Sequence, residues 1–114
     1  KIEKNNIKAL ILGATFKENC PDTRNSKVFD MIDCFKQKKI NLHVYDPFIK
    51  NNKDAIFCNL NKILKNKYNL IIIAVSHTKF KKLGSTFIDK MLSKNGIIFD
   101  IKNTFPKNKN YIKL

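Results

Sequence analysis

The chain has 114 residues and 43% apolar content, enough for one compact domain with its own core and too short for two. Lysine and arginine number 23 against 9 aspartates and glutamates, a formal charge of +14, while ordinary apolar and aromatic fractions exclude a charged low-complexity tail. The longest apolar run, Leu70 to Val75, falls far below the roughly 20 residues of a bilayer-spanning helix, which excludes a membrane span of that kind.

Ile7 to Gly13, IKALILG, is a short apolar run closed by glycine and predicts a buried first strand. The following ATFKENCPDTRNS carries Pro21 together with Asp, Asn, Thr and Ser side chains that satisfy backbone donors in turns, so it predicts a loop. From Ser26 onward, Val28, Met31, Ile32 and Phe35 recur at the three- and four-residue spacing of a helical stripe. Asn25 or Ser26 is placed to cap that helix, and Lys38 or Lys39 suits its C-terminal dipole. NLHVYDP, Asn41 to Pro47, alternates polar and apolar residues and stops at an Asp-Pro turn, as a second strand would. The polar stretch from Asn51 to Asn69 yields one short helix around Leu60 to Leu64. LIIIAVS, Leu70 to Ser76, is apolar without alternation, the pattern of a central parallel strand covered on both faces. An amphipathic segment over Lys79 to Ser93 leads through Asn95 and Gly96 to a strand at Ile97 to Asp100, and the closing YIKL can add an edge strand.

Strands alternating with helices predict an α/β fold over residues 1–114, a Rossmann-like three-layer sandwich with a mainly parallel sheet and right-handed crossovers. Ligands of such sheets sit at the carboxyl ends of the strands. That rule singles out Thr15 to Arg24, Asp46, Ser76 to Thr78 and Asp100 to Asn103.

All but one of the basic residues are lysine, Arg24 being the exception, and they are scattered among fifteen asparagines. A coding bias toward A and T produces such a composition without selection for a ligand. Attraction of a small anion such as a nucleotide ranks next. A nucleic-acid surface ranks last, since arginine supplies the bidentate fork for phosphate and guanine. Cys20, Cys34 and Cys58 form no CxxC pair and have no histidine at zinc-ligand spacing, so free thiols and no metal site are expected. The opening KIEKNNIKAL lacks the sustained apolar core and cleavage site of a signal peptide, and the expected location is cytoplasmic.

A dinucleotide-binding turn shows GxGxxG after the first strand, where only Gly13 stands here. The loop instead offers Lys17 and Arg24. Either it holds a phosphate by side-chain charge, aided by the amides that open the next helix, or it is a solvated turn. Cys20 lies beside these cations but has no base near it in sequence, and reads as a spectator thiol. His77 follows the central strand, where it can donate to a phosphate or ribose or else fix the strand-to-helix turn. Asp46 closes the second strand and can meet a ribose, although opening the Asp-Pro turn is the favoured role. Asp100 and Lys102 can pair with one another or reach a shared ligand.

GATFKENCPDTRNSKVFDMI, followed in order by NLHVYDP, AVSHTKF and IIFDIKN, resembles the C-terminal, UDP-binding domain of the UDP-glucose/GDP-mannose dehydrogenase family over nearly the whole chain. Within that family, NCPDTRNSK is most similar to the branch that oxidises UDP-N-acetylhexosamines for surface polysaccharides such as capsule. The resemblance implies a cap that closes over a UDP-sugar in an enzyme that uses NAD to oxidise the C6 alcohol to a carboxylate. It also implies partner domains upstream, one binding NAD and one carrying a thioester-forming cysteine, so no catalytic residue is expected in this chain. Matched by position, Phe16 and Lys17 stand for the pair that contacts the UDP-sugar, and Arg24 for the arginine that reaches the NAD phosphates. Lys102 stands where many members place an arginine at the sugar end, and a lysine there leaves a point charge in place of a fork. The parent enzyme is expected to be a homo-oligomer. A stand-alone nucleotide-binding module and a basic nucleic-acid binder are the alternatives.

Overall fold

The computed structural model describes residues 7–23, 26–50 and 52–105, together with the backbone of 111–113. Within these, β1 (Lys8–Leu12), β2 (Asn41–Tyr45), β3 (Tyr68–Ile73), β4 (Leu92–Asp100) and β5 (Tyr111–Lys113) form one sheet in the order β2-β1-β3-β4-β5. Every strand pair is parallel. Helix α1 (Val28–Gln37) packs on one face, and α2 (Leu60–Leu64) and α3 (Thr78–Asp89) on the other, which makes the Rossmann-like sandwich.

The two-residue period of a strand explains the layering. Ala9 and Ile11 of β1 join Val28 and Ile32 of α1, whereas Leu10 and Leu12 join Ile63 of α2 and Phe80 and Ile88 of α3. Burying each large aliphatic side chain is worth about 1.5–3 kcal/mol, so a one-residue slip of β1 would forfeit both clusters together. β3 lacks alternation for the same reason, as both of its faces are covered. In the resulting register Leu12 lies level with Tyr45 and with Ile73, and Ile73 with Asp100. Four strand ends therefore form one edge. β2 leaves β1 on one side and β3 lies on the other, so the connections diverge and open a crevice between the carboxyl ends of β1 and β3.

Boundaries differ from the sequence expectation at four places, the first being β3, which runs over Tyr68–Ile73 and not Leu70 to Ser76. Helix α1 begins at Val28, with Lys27 in the capping position and no side-chain cap; Ser26 Oγ accepts the Val28 N–H at 3.4 Å, and Asn25 lies outside the described residues. β4 begins at Leu92, because Leu92 already pairs with Tyr68 before a bulge shifts the register to Leu70 with Ile97. Helix α3 stops at Asp89 and kinks at Gly84. The Tyr111–Lys113 edge strand is present. Among the described residues no helix is long and apolar enough to cross a membrane.

Candidate functional site

The chain leaves β1 through Gly13 at φ +93°, where an added Cβ would lie 2.6 Å from Val75 Cβ and 2.9 Å from Val75 N. Only glycine lets the exits of β1 and β3 touch so closely. The next two amides are then spent inside the protein: Ala14 N–H and Thr15 N–H donate to Asp46 Oδ2 at 2.7 and 3.2 Å. Asp46 Oδ1 accepts Phe48 N–H at 2.8 Å, and His77 Nε2 lies 2.8 Å from Oδ2. Burial pushes the Asp46 carboxyl up, but the hydrogen bonds from His77 and from the Ala14 and Phe48 amides outweigh it and hold the group below its ordinary range. In a dinucleotide-binding turn the amides after β1 face a pyrophosphate. Here an internal carboxylate takes that place.

His77 is fully buried between the Phe48 and Phe80 rings, with centroids at 4.9 and 5.5 Å. Its Nδ1 accepts the Asn19 N–H at 2.8 Å, so the ring proton sits on Nε2, which faces Asp46 Oδ2 and Thr15 Oγ1. Both nitrogens are used. Neither Asp46 nor His77 is therefore free for a ribose or phosphate; each serves the turns, the alternative that the sequence left open. Asp100 repeats the pattern after β4: its two carboxylate oxygens accept the Thr104 and Phe105 N–H groups at 2.8 Å each, and it is buried while Lys102 stays exposed. Cys20 is half-buried with a free thiol. His77 has no nitrogen left to activate it, and His43 Nδ1 is engaged by Tyr68 OH at 2.8 Å.

The crevice predicted by the topology is a cavity of ≈ 320 Å³ on the α1 side of the edge. Thr15 to Glu18, Lys27, Ala74, Val75 and Lys102 are among its lining residues, so three of the four residues singled out by position, Phe16, Lys17 and Lys102, converge on it. Phe16 is 54% exposed, an aromatic face left at the rim. Arg24 lies outside the described residues. Three lysines against Glu18 give the lining a positive balance. Lys27 was missed as a site residue; a lysine at a helix N-terminus runs against the dipole, a mismatch that an anion in front of it relieves. The amides of the first turn of α1 add nothing to the expected phosphate grip. Phe29 and Asp30 N–H already meet the Ser26 and Lys27 carbonyls at 3.3 and 3.2 Å. A larger cavity of ≈ 470 Å³ lies beside the end of β2, lined by Tyr45, Phe57, Cys58 and Lys79 among others. It is removed from the diverging pair of strands, which is where ligands of this topology sit.

Residues 10–107 match the UDP binding domain of the UDP-glucose/GDP-mannose dehydrogenase family. Over its whole length the chain is 31% identical to UDP-N-acetyl-D-glucosamine 6-dehydrogenase of Pseudomonas aeruginosa, covering 28% of that protein. Identity to Protein CapL of Staphylococcus aureus is 35%, over 81% of this chain and 22% of CapL. The structure of UDP-D-ManNAc dehydrogenase from Pyrococcus horikoshii superposes with a TM-score of 0.76 at 25% identity, over 98% of this chain and 26% of that one. The chain thus spans about a quarter of the length of these relatives.

Proposed function

This chain belongs to the UDP-glucose/GDP-mannose dehydrogenase family, and on that premise we propose that it is the UDP-binding, C-terminal cap of a longer NAD-dependent dehydrogenase. The substrate class is a UDP-N-acetylhexosamine, oxidised at its C6 alcohol to a uronic acid for surface polysaccharide synthesis in the cytoplasm. The observation that carries this reading is that one crevice at the β1/β3 edge collects Phe16, Lys17 and Lys102. Lys17 and Lys102 neutralise the diphosphate, and Phe16 lends an apolar face to the sugar nucleotide. The names of the relatives, which are dehydrogenases of UDP-N-acetyl-glucosamine and UDP-D-ManNAc, support the substrate class.

NAD, when bound, supplies the hydride acceptor for the oxidation. The turn after β1 does not fit its pyrophosphate, since the Ala14 and Thr15 amides are taken by Asp46. NAD therefore belongs to an upstream domain, with Arg24 reaching across to its phosphates. Cys20, Cys34 and Cys58 carry no catalytic role, and the parent enzyme is a homo-oligomer.

Kinetics of the full-length protein on a panel of UDP-hexoses and UDP-N-acetylhexosamines test the proposal. Lys17→Ala is expected to raise KM for the UDP-sugar by about 10–100-fold, the value of a charge-assisted hydrogen bond. Arg24→Ala is expected to raise KM for NAD instead. Unchanged constants in both variants overturn the assignment.

A further inference from the structure

The segment that presents Lys17 is tied down on both sides of that residue. On one side, Thr15 Oγ1 donates to the Lys17 carbonyl at 3.0 Å. On the other, Asn19 is turned back at φ 58° and gives its N–H to His77 Nδ1 at 2.8 Å. The Asn19 side chain extends the tie to the start of α3, with Nδ2 donating to Thr78 Oγ1 at 2.8 Å and Oδ1 accepting Thr78 N–H at 2.9 Å. His77 cannot rotate away, because Phe48 and Phe80 enclose the ring and Nε2 faces Asp46. The arrangement thus runs from Asp46 through one imidazole to the loop that carries the candidate phosphate ligand.

We infer that His77 and Asn19 are positioning residues for the nucleotide grip: His77 Nδ1 and the Asn19 side chain hold the 16–19 turn against the β3–α3 junction and so fix where Lys17 presents its ammonium. The inference rests on Lys17 being a ligand contact, as proposed above. The two ring nitrogens have separable duties. Nε2 serves Asp46 and Thr15 Oγ1 and hence the turn after β1 as far as Thr15, whereas Nδ1 takes the backbone donor on the far side of Lys17 and serves its placement directly. A side-chain amide can replace either nitrogen alone. In His77→Asn the carbonyl oxygen stands where Nδ1 was and still accepts from Asn19, while Asp46 loses its donor. In His77→Gln the longer amide reaches the Nε2 position and still serves Asp46, while Asn19 N–H loses its acceptor.

The test is calorimetric titration of the full-length protein with uridine diphosphate, beside a thermal melt of each variant. His77→Gln is expected to raise Kd about tenfold, the worth of one lost hydrogen bond in positioning, and His77→Asn to restore Kd to within about twofold of the parent while melting lower. Asn19→Gly keeps the backbone donor and the positive φ but removes both ties to Thr78, and is expected to raise Kd severalfold. If Lys17→Ala weakens binding but the Gln and Asn variants shift Kd alike, the histidine is only structural and the inference is overturned. If Lys17→Ala leaves Kd unchanged, the functional reading falls and the inference with it. The unsubstituted protein provides a check that needs no variant to fold. Ring 15N spectra of histidine-labelled protein should show the His77 proton on Nε2 with Nδ1 bare, and a proton found on Nδ1 overturns the inference.

Discussion

Replacing Asp46 by asparagine removes one charge and one acceptor from the most heavily bonded carboxylate of the site. Oδ2 faces the Ala14 and Thr15 amides and His77 Nε2, and Oδ1 takes the Phe48 amide. An asparagine that keeps its carbonyl on the side of the three donors turns its NH2 toward Phe48 N–H, donor against donor, which costs about 1–3 kcal/mol for one stranded group. Loss of charge assistance on the remaining three bonds adds about 1 kcal/mol each. Relief of the carboxylate's desolvation offsets part of this, leaving a net destabilisation of about 2–4 kcal/mol. That is a large share of the roughly 5–15 kcal/mol expected for a domain of this size. Urea unfolding at neutral pH is the assay, with a lower midpoint and an unchanged slope expected. The native carboxyl titrates below its ordinary 3.8, so its contribution is complete above that value and fades as pH falls through the depressed one. The gap between parent and variant should therefore narrow on acidification. A variant within about 0.5 kcal/mol of the parent at neutral pH, or a gap that widens in acid, refutes the reasoning.

The two glycines with positive φ should respond differently to alanine. Gly13→Ala meets both a φ of +93° and a 2.6 Å contact with Val75 Cβ, and should cost about 3 kcal/mol or more in a thermal melt. Gly84→Ala meets only its backbone at φ 84° and ψ 164°, with nothing within 4 Å, and should cost about 1–3 kcal/mol; a cost for Gly13→Ala no larger than this would mean that the β1–β3 contact is not tight. Asp100→Ala strands the Thr104 and Phe105 amides and should cost about 2–4 kcal/mol by denaturation. Because it also frees the turn bearing Lys102, uridine diphosphate affinity should fall with it. Finally, Lys17→Ala should raise KM by one common factor for UDP-glucose and UDP-N-acetylglucosamine, within about twofold, since a point charge on the phosphates does not distinguish sugars.

Much of the fold was legible because its signals are local. The unbroken LIIIAVS run and the closed IKALILG run mark buried parallel strands wherever the chain goes next, and the Val28, Met31, Ile32, Phe35 stripe marks a helix that must cover one of them. The start of β4 was not legible, since Leu92 enters the sheet by pairing with Tyr68, far away in sequence, and the polar residues between it and Ile97 form a bulge that looks like a turn. The site divides in the same way. Phe16, Lys17 and Lys102 could be singled out from position after a strand and from family spacing, and they do share a crevice. The engagement of Asp46 with His77 joins residues from two different strand ends, and a lone sequence has no means of showing that both side chains are already consumed. Lys27 escaped notice for a simpler reason: among so many lysines, one more at a helix start is inconspicuous until the cavity is seen.

The internal carboxylate explains why this site is built from side chains. A turn that offers its amides to a pyrophosphate must keep them unpaired until the ligand arrives, at a standing cost in desolvated donors. Supplying Asp46 satisfies the Ala14 and Thr15 amides permanently, and the turn gains order without a ligand. Under the proposed reading, phosphate recognition then falls to the exposed lysines Lys17 and Lys102, which line the crevice together with Lys27. Exposed ammonium groups attract by charge, fall in strength with salt, and impose little geometry of their own. Whatever geometry the site has must then come from the backbone that carries the lysines. That places the burden on the hydrogen bonds of 2.8 to 3.1 Å that join the 15–19 segment to His77 and Thr78 at the end of β3.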